Sequence, residues 1–237
     1  MKSISFLLLA LLFVIAPTAQ AQNARTAKEH VKRGITRFSR GDIEGAIASY
    51  EKALEINPQF ADALFHRGKA RRAKGDLNGA IEDYEASVVI DPRLAENNRD
   101  IASAYFNRGF IRTNGLEISD ALADFDAAVK FHPRYAEAYI KRGEAQIICG
   151  DFTKAITDFD KSLALNPYQH LAALAHAGRG FAYLLQGDEE AAGKDFAESI
   201  KLNGEGKFFL ELHLKLLEAQ MKEMKRRQRD AQPVRVA

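Results

Sequence analysis

The chain reads as an all-α protein, a right-handed solenoid of five helical hairpins followed by a C-terminal capping helix. Three observations predict this. Glycines recur at Gly34, Gly68, Gly109, Gly143 and Gly180, with gaps of 34, 41, 34 and 37 residues, a base period with seven and three residues added. A period of this size is the mark of stacked helical hairpins. Small and aromatic residues stand in register behind each glycine. A Gly-Asp pair inside four of the units and a proline at the end of four then punctuate the repeat.

The columns have physical reasons. Small residues (Ala46, Ala80, Ala121, Ala155, Ala192) and the glycines let facing helices approach closely. An aromatic four positions later (Tyr50, Tyr84, Phe125, Phe159, Phe196) fills the gap, and Ala53, Ser87, Ala128, Ser162 and Ser199 follow on the same helical face. Pro58, Pro92, Pro133 and Pro167 end the second helix of four units, and Gly204 stands there in the fifth. Gly41-Asp42, Gly75-Asp76, Gly150-Asp151 and Gly187-Asp188 make the inner turns. Gly takes the left-handed position and Asp caps the next helix. The third unit shows Asn114-Gly115 instead, read as a longer turn running to Asp120.

These columns resemble the tetratricopeptide repeat. Five units fall in phase, at 27–60, 61–94, 102–135, 136–169 and 173–206. The chain departs from the family at the fourth position (His30, Leu64, His176) and at the seventh, where Arg stands in every unit. The insertions Ala95–Ile101 and His170–Ala172 are near whole turns, so longer first helices are expected in units three and five. Units that bury their core between neighbours are expected to form one array.

The resemblance implies a non-catalytic scaffold that holds a protein or peptide partner in a concave groove lined by the first helix of each unit. Groove positions by the family pattern are Val31, Ile35 and Phe38; Phe65, Lys69 and Arg72; Phe106, Phe110 and Thr113; Ile140, Glu144 and Ile147; Ala177, Phe181 and Leu184. They make an apolar trough with two cations near the second unit, suited to an apolar peptide or helix. The carboxylate clamp of chaperone-adaptor members is not carried over, because Lys69 is the lone cation among the positions it uses.

Arg33, Arg67, Arg108, Arg142 and Arg179 precede the glycines, and Asp83, Asp124, Asp158 and Asp195 precede the aromatics, with Ser49 in the first unit. Their joint recurrence points to a ladder of Arg–Asp bridges rather than an anion-binding row.

The first 21 residues have the layout of a secretory signal: Lys2, the apolar stretch Ile4–Ala16, and Ala19-Gln20-Ala21 as a cleavage site. That implies a periplasmic or secreted chain, with residues 22–26 as a linker. Cys149, the sole cysteine, sits at a helix end and is expected to be buried or half-buried. After Asn203-Gly204-Glu205-Gly206 a helix from about Lys207 to Arg229 carries a stripe of Leu210, Leu214, Leu217, Met221 and Met224, flanked by Phe209, Leu212 and Leu216. Its first half is expected to cap the last unit, and residues 230–237 to be a disordered tail. Its basic end, Lys222, Lys225, Arg226, Arg227 and Arg229, offers an alternative activity on anionic lipid or polysaccharide.

Catalytic chemistry finds no support. The six His are scattered without ligand spacing, no phosphate loop remains once the repeat explains the glycines, and neither cofactor nor metal is expected. A net charge of +2 gives no reason to expect a nucleic-acid partner.

Overall fold

The structure, a computed structural model, describes residues 3–165, 167–203 and 206–230. Expectations resting on Lys2, Gly204, the side chains of Ile4–Ala16, Phe209 and Leu212, and the tail from Ala231 lie outside that description. The described residues form eleven α-helices: α1 Ser3–Ser39, α2 Ile43–Ile56, α3 Ala61–Lys74, α4 Leu77–Ile90, α5 Arg99–Asn114, α6 Ile118–Phe131, α7 Ala136–Cys149, α8 Phe152–Ala164, α9 Gln169–Gln186, α10 Glu189–Leu202 and α11 Gly206–Asp230. A short 3-10 turn, Pro92–Ala95, follows α4. Consecutive helices pair into hairpins (α1 with α2, through α9 with α10).

The repeat columns become the core. Ala46, Ala80, Ala121, Ala155 and Ala192 are buried, as are Tyr50, Tyr84, Phe125 and Phe159. The glycine column makes room for the ring more than for a backbone. A Cβ at Gly143 would lie 2.9 Å from the Phe159 ring, and one at Gly178, on the next hairpin, would come closer still. Phe159 thus packs against two side-chain-free positions of successive hairpins. Burial also holds the Tyr50 hydroxyl proton tightly, its pKa pushed up to about 12.

The inner turns follow one plan. Gly41, Gly75, Gly150 and Gly187 all have φ between 83° and 90°. The next residue's N–H returns to the carbonyl five residues back, as from Asp42 to Arg37 and from Asp76 to Arg71. Asp42, Asp76 and Asp188 then accept from the N–H three residues on, whereas Asp151 receives Lys154 instead. The third hairpin corrects the expected long turn. Leu116, with φ of 62°, occupies the left-handed position, and the Glu117 N–H returns to Arg112. The turn has the ordinary length, but Leu and Glu replace Gly and Asp, and Glu117 makes no side-chain cap.

The seven-residue insertion is spent differently from the expectation. The 3-10 turn, a bend with Asn97 at φ 47°, and the Asn98 cap on Asp100 and Ile101 absorb it. α5 gains only two residues over the 14 of α3 and α7, while α9 reaches 18 as the three-residue insertion implied. The chain divides within this insertion into two compact units, residues 1–96 and 97–237. Each has its own buried interior.

Two further corrections concern the C-terminal half. Cys149 is exposed at the end of α7, although partial burial and the neighbouring Asp151 still raise its thiol pKa. α11 touches α10 but continues against α9 and α7, and leaves Phe196 half-buried. The apolar stripe does seat it, since Leu210, Leu217 and Met221 are buried. It covers a lateral face of earlier helices rather than only closing the end of the stack. Among the described residues no helix is long and apolar enough to cross a membrane.

Candidate partner-binding face

The odd-numbered helices α1 to α9 carry the positions expected to meet a partner, and the structure sorts these into three groups. Val31 belongs to the core with Ala27, Tyr50 and Ala63. Phe106 is buried between the rings of Tyr135, at 5.0 Å, and Phe125, at 6.0 Å. Ile140, Ile147 and Ala177 are fully buried, and Thr113, Glu144 and Phe181 are buried as well. None of these presents a surface to a partner, because each is already enclosed by neighbouring side chains. Phe38, Phe65, Lys69 and Arg72 are half-buried. Ile35, Phe110 and Leu184 remain exposed, at 41%, 44% and 43%.

Cations stand beside the accessible rings. The Lys69 ammonium lies 5.9 Å from the centre of Phe65. Lys141 lies 5.9 Å from the centre of Phe110 and also donates to Glu144 at 2.9 Å. Glu144 is itself 7% exposed, so its charge is held by that contact in a largely dry setting.

A deeper feature forms where α11 meets α9. Phe181, Leu184 and Leu185 of α9 face Glu218, Met221, Lys222, Lys225 and Arg229 of α11 across a cleft of about 710 Å³. The basic residues of α11 divide into two sets. Arg226 and Arg227 pair with Glu223, at 2.8 and 3.3 Å, and Arg227 also donates to the Gly115 carbonyl. Lys222, Lys225 and Arg229 stand on the cleft side.

The recurring arginines are structural. Arg67–Asp83, Arg108–Asp124, Arg142–Asp158 and Arg179–Asp195 are all forked pairs at 2.6–3.1 Å. Each Asp is buried and each Arg half-buried. In the second and third hairpins a further arginine, Arg71 or Arg112, joins the same Asp. In the fourth and fifth the Arg reaches a second acid on the preceding hairpin, Asp126 or Asp160. The first hairpin differs: Arg33 is exposed, and Arg37 donates to Ser49 and to the Gly45 carbonyl. His176 is more than a packing residue, because its Nδ1 lies 2.8 Å from Asp195. Burial opposes ionisation of Asp195, but Arg179 and His176 hold its carboxyl below the usual range.

Comparison with known proteins settles the family. Models described as "TPR repeat" and "Tetratricopeptide repeat" match residues 34–71, 61–94 and 136–168. The chain is a tetratricopeptide repeat protein. Its fold is similar to the crystal structure of MamA protein, at 28% identity over 75% of this chain and 91% of that one, with a TM-score of 0.57. It is also similar to MamA of Desulfovibrio magneticus RS-1, at 21% identity over 77% and 97% of the two chains and a TM-score of 0.54. YrrB, described as a TPR protein with an unusual peptide-binding site, matches at 22% identity over 84% and 96%, with a TM-score of 0.60. A 45-residue stretch is 36% identical to an uncharacterized protein of Methanocaldococcus jannaschii and spans 52% of that relative's length.

Such a tetratricopeptide repeat chain is a protein-interaction scaffold, a family whose members are typically non-catalytic. Among the described residues no cluster of His, Cys, Asp and Glu could hold a metal ion. Two parts of its candidate surface escaped the repeat pattern. Lys141 belongs to no groove column, although a cation one turn from a groove aromatic on a neighbouring helix could have suggested it. A second cleft of about 650 Å³, with Arg99, Arg134, His132, His170 and Tyr168 in its lining, sits at the proline-turn edge, where the columns say nothing. Burial and the two arginines lower the pKa of His132.

Proposed function

We propose that this tetratricopeptide repeat protein is an adaptor or assembly factor of the cell envelope, holding an apolar peptide or helix of a partner protein against its odd-numbered helices. The observation that carries the reading is the exposure of Phe110 on α5 and Leu184 on α9, large apolar side chains on first helices of the second unit, with Lys141 over the Phe110 ring; in the first unit Ile35 is exposed and Lys69 lies beside Phe65. Apolar side chains left accessible on the first helices of one unit are what the apolar stripe of a ligand can use. Residence in the envelope rests on the export-like segment of the first 21 residues, and N-terminal sequencing of the purified chain tests it, with Gln22 as the expected first residue.

The binding test compares two pairs of substitutions. Phe110→Ala with Leu184→Ala is expected to weaken partner capture at least about tenfold, the scale of a lost interface anchor. Val89→Ala with Ile200→Ala, on exposed sites of the even-numbered helices, is expected to leave it unchanged. Equal losses from both pairs, or from neither, contradict the assignment.

A further inference from the structure

We infer that the cleft between α9 and α11 is a docking site for an acidic amphipathic segment of a partner protein, one whose apolar stripe meets α9 and whose carboxylates meet α11. This rests on the proposed scaffold function and names the chemistry of the partner.

The floor of the cleft is apolar: Phe181, Leu184 and Leu185 come from the last turns of α9, and Met221 from α11. Leu184 and Leu185 are exposed at 43% and 36%, so that part of the floor is open to a ligand, with the buried Phe181 and Met221 behind it. The opposite wall is cationic. Lys222, Lys225 and Arg229 lie three, four and seven residues apart on one side of α11, against the single acid Glu218. The ion pairs of α11 give this arrangement its meaning. Glu223 takes up Arg226 and Arg227. Lys222, Lys225 and Arg229 are exposed and paired with no acid among the described residues. A helix that satisfies two arginines internally and turns its other three cations to an apolar cleft presents one kind of surface. It matches alternating apolar and carboxylate groups, and repels a basic segment through like charge. The volume of about 710 Å³ is in the range of clefts that enclose a ligand. A flat anionic lipid surface fits less well, because the apolar floor lies on α9, across the cleft from the cations.

Fluorescence anisotropy with two labelled helical peptides of about twenty residues tests this on the full chain. Both carry leucines at i, i+4, i+7 spacing; one has Glu at its remaining positions and its twin has Lys. The chain is expected to bind the acidic peptide at least about tenfold more tightly than the basic twin, the effect of a reversed charge match. Lys222→Glu with Lys225→Glu and Arg229→Glu inverts that preference, and Leu184→Asp weakens the acidic peptide. Lys154→Glu with Lys194→Glu and Lys201→Glu, the same charge change at exposed sites elsewhere, leaves the preference in place. Thermal melts confirm that each variant keeps the helical fold. Equal binding of the twins, or equal effects of the two triple substitutions, overturns the acidic specificity while leaving a peptide scaffold standing. Binding of neither twin overturns both. If phosphatidylglycerol vesicles bind the chain, lose binding with the first triple substitution and no peptide binds, the cations belong to a lipid surface and the inference falls.

Discussion

Equivalent helix positions meet different fates in the two compact units. In the first unit, Phe65, Lys69 and Arg72 of α3 are half-buried and Ile35 of α1 is exposed. In the second, Ile140 and Ile147 of α7 are fully buried and Phe181 of α9 is 3% exposed, with α11 packed against both helices. The same column of a repeat is therefore surface in one place and interior in another. Repeat position sets the direction of a side chain, and the elements packed against it set its exposure. α11 converts part of an apolar face into a cleft with a charged wall.

The strongest way to break this contrast is to remove α11. Ending the chain at Leu202 discards the buried Leu210, Leu217 and Met221. At about 1.5–3 kcal/mol for each buried side chain, the second unit is expected to lose several kcal/mol. It should also bind an apolar dye, while the melting of the first unit stays in place. An unchanged second transition would mean that α11 covers nothing of consequence.

The Arg–Asp ladder gives the next largest effect. Asp124 receives Arg108 and Arg112 while 2% exposed, so Asp124→Ala leaves two half-buried guanidinium groups without their buried partner and is expected to cost about 3 kcal/mol. Ser49→Ala in the first unit removes a neutral hydroxyl facing Arg37 and should cost about 1 kcal/mol. Denaturant titration of the two variants separates a charged ladder from a neutral one. Equal costs would erase the distinction between the hairpins.

Acid titration sharpens the same point. The Asp195 carboxyl has a lowered pKa in the folded chain, so its contribution is complete above the unfolded value, about 3.9, and is lost as pH falls through the folded value. Asp195→Asn should lower stability at neutral pH and flatten the acid limb of the pH–stability curve. An unaltered limb would remove Asp195 from the account.

The smallest effect lies in the third inner turn. Leu116 holds a left-handed conformation at φ 62° where its counterparts are glycine. Leu116→Gly is expected to stabilise the second unit by up to about 1 kcal/mol in thermal melts. Destabilisation would mean that the Leu side chain has a packing role that outweighs its backbone strain.

Much of this was legible in the sequence, for particular reasons. The Gly, Ala and aromatic columns interact within one hairpin or its neighbour, so spacing alone placed Tyr50, Phe125 and Phe159 in the core. The Arg–Asp pairs were legible because both partners recur sixteen residues apart. The turn at Leu116-Glu117 was not, because residue identity drew attention to Gly115, whereas counting seven from Gly109 reaches Leu116 as counting seven from Gly34 reaches Gly41. The stripe on α11 showed that one face is buried but not which helix covers it, since amphipathicity carries no address. Exposure of Cys149 and burial of Ile147 depend on how helices abut, which no local spacing reports.

Hydrogen exchange along the chain, with and without the acidic leucine-striped peptide, tests the central claim most directly. The account predicts slowed exchange in α5, α7, α9 and α11, the helices that carry Phe110, Lys141, Leu184 and Lys225, with α6, α8 and α10 unchanged. Protection concentrated on α6, α8 and α10 would contradict it.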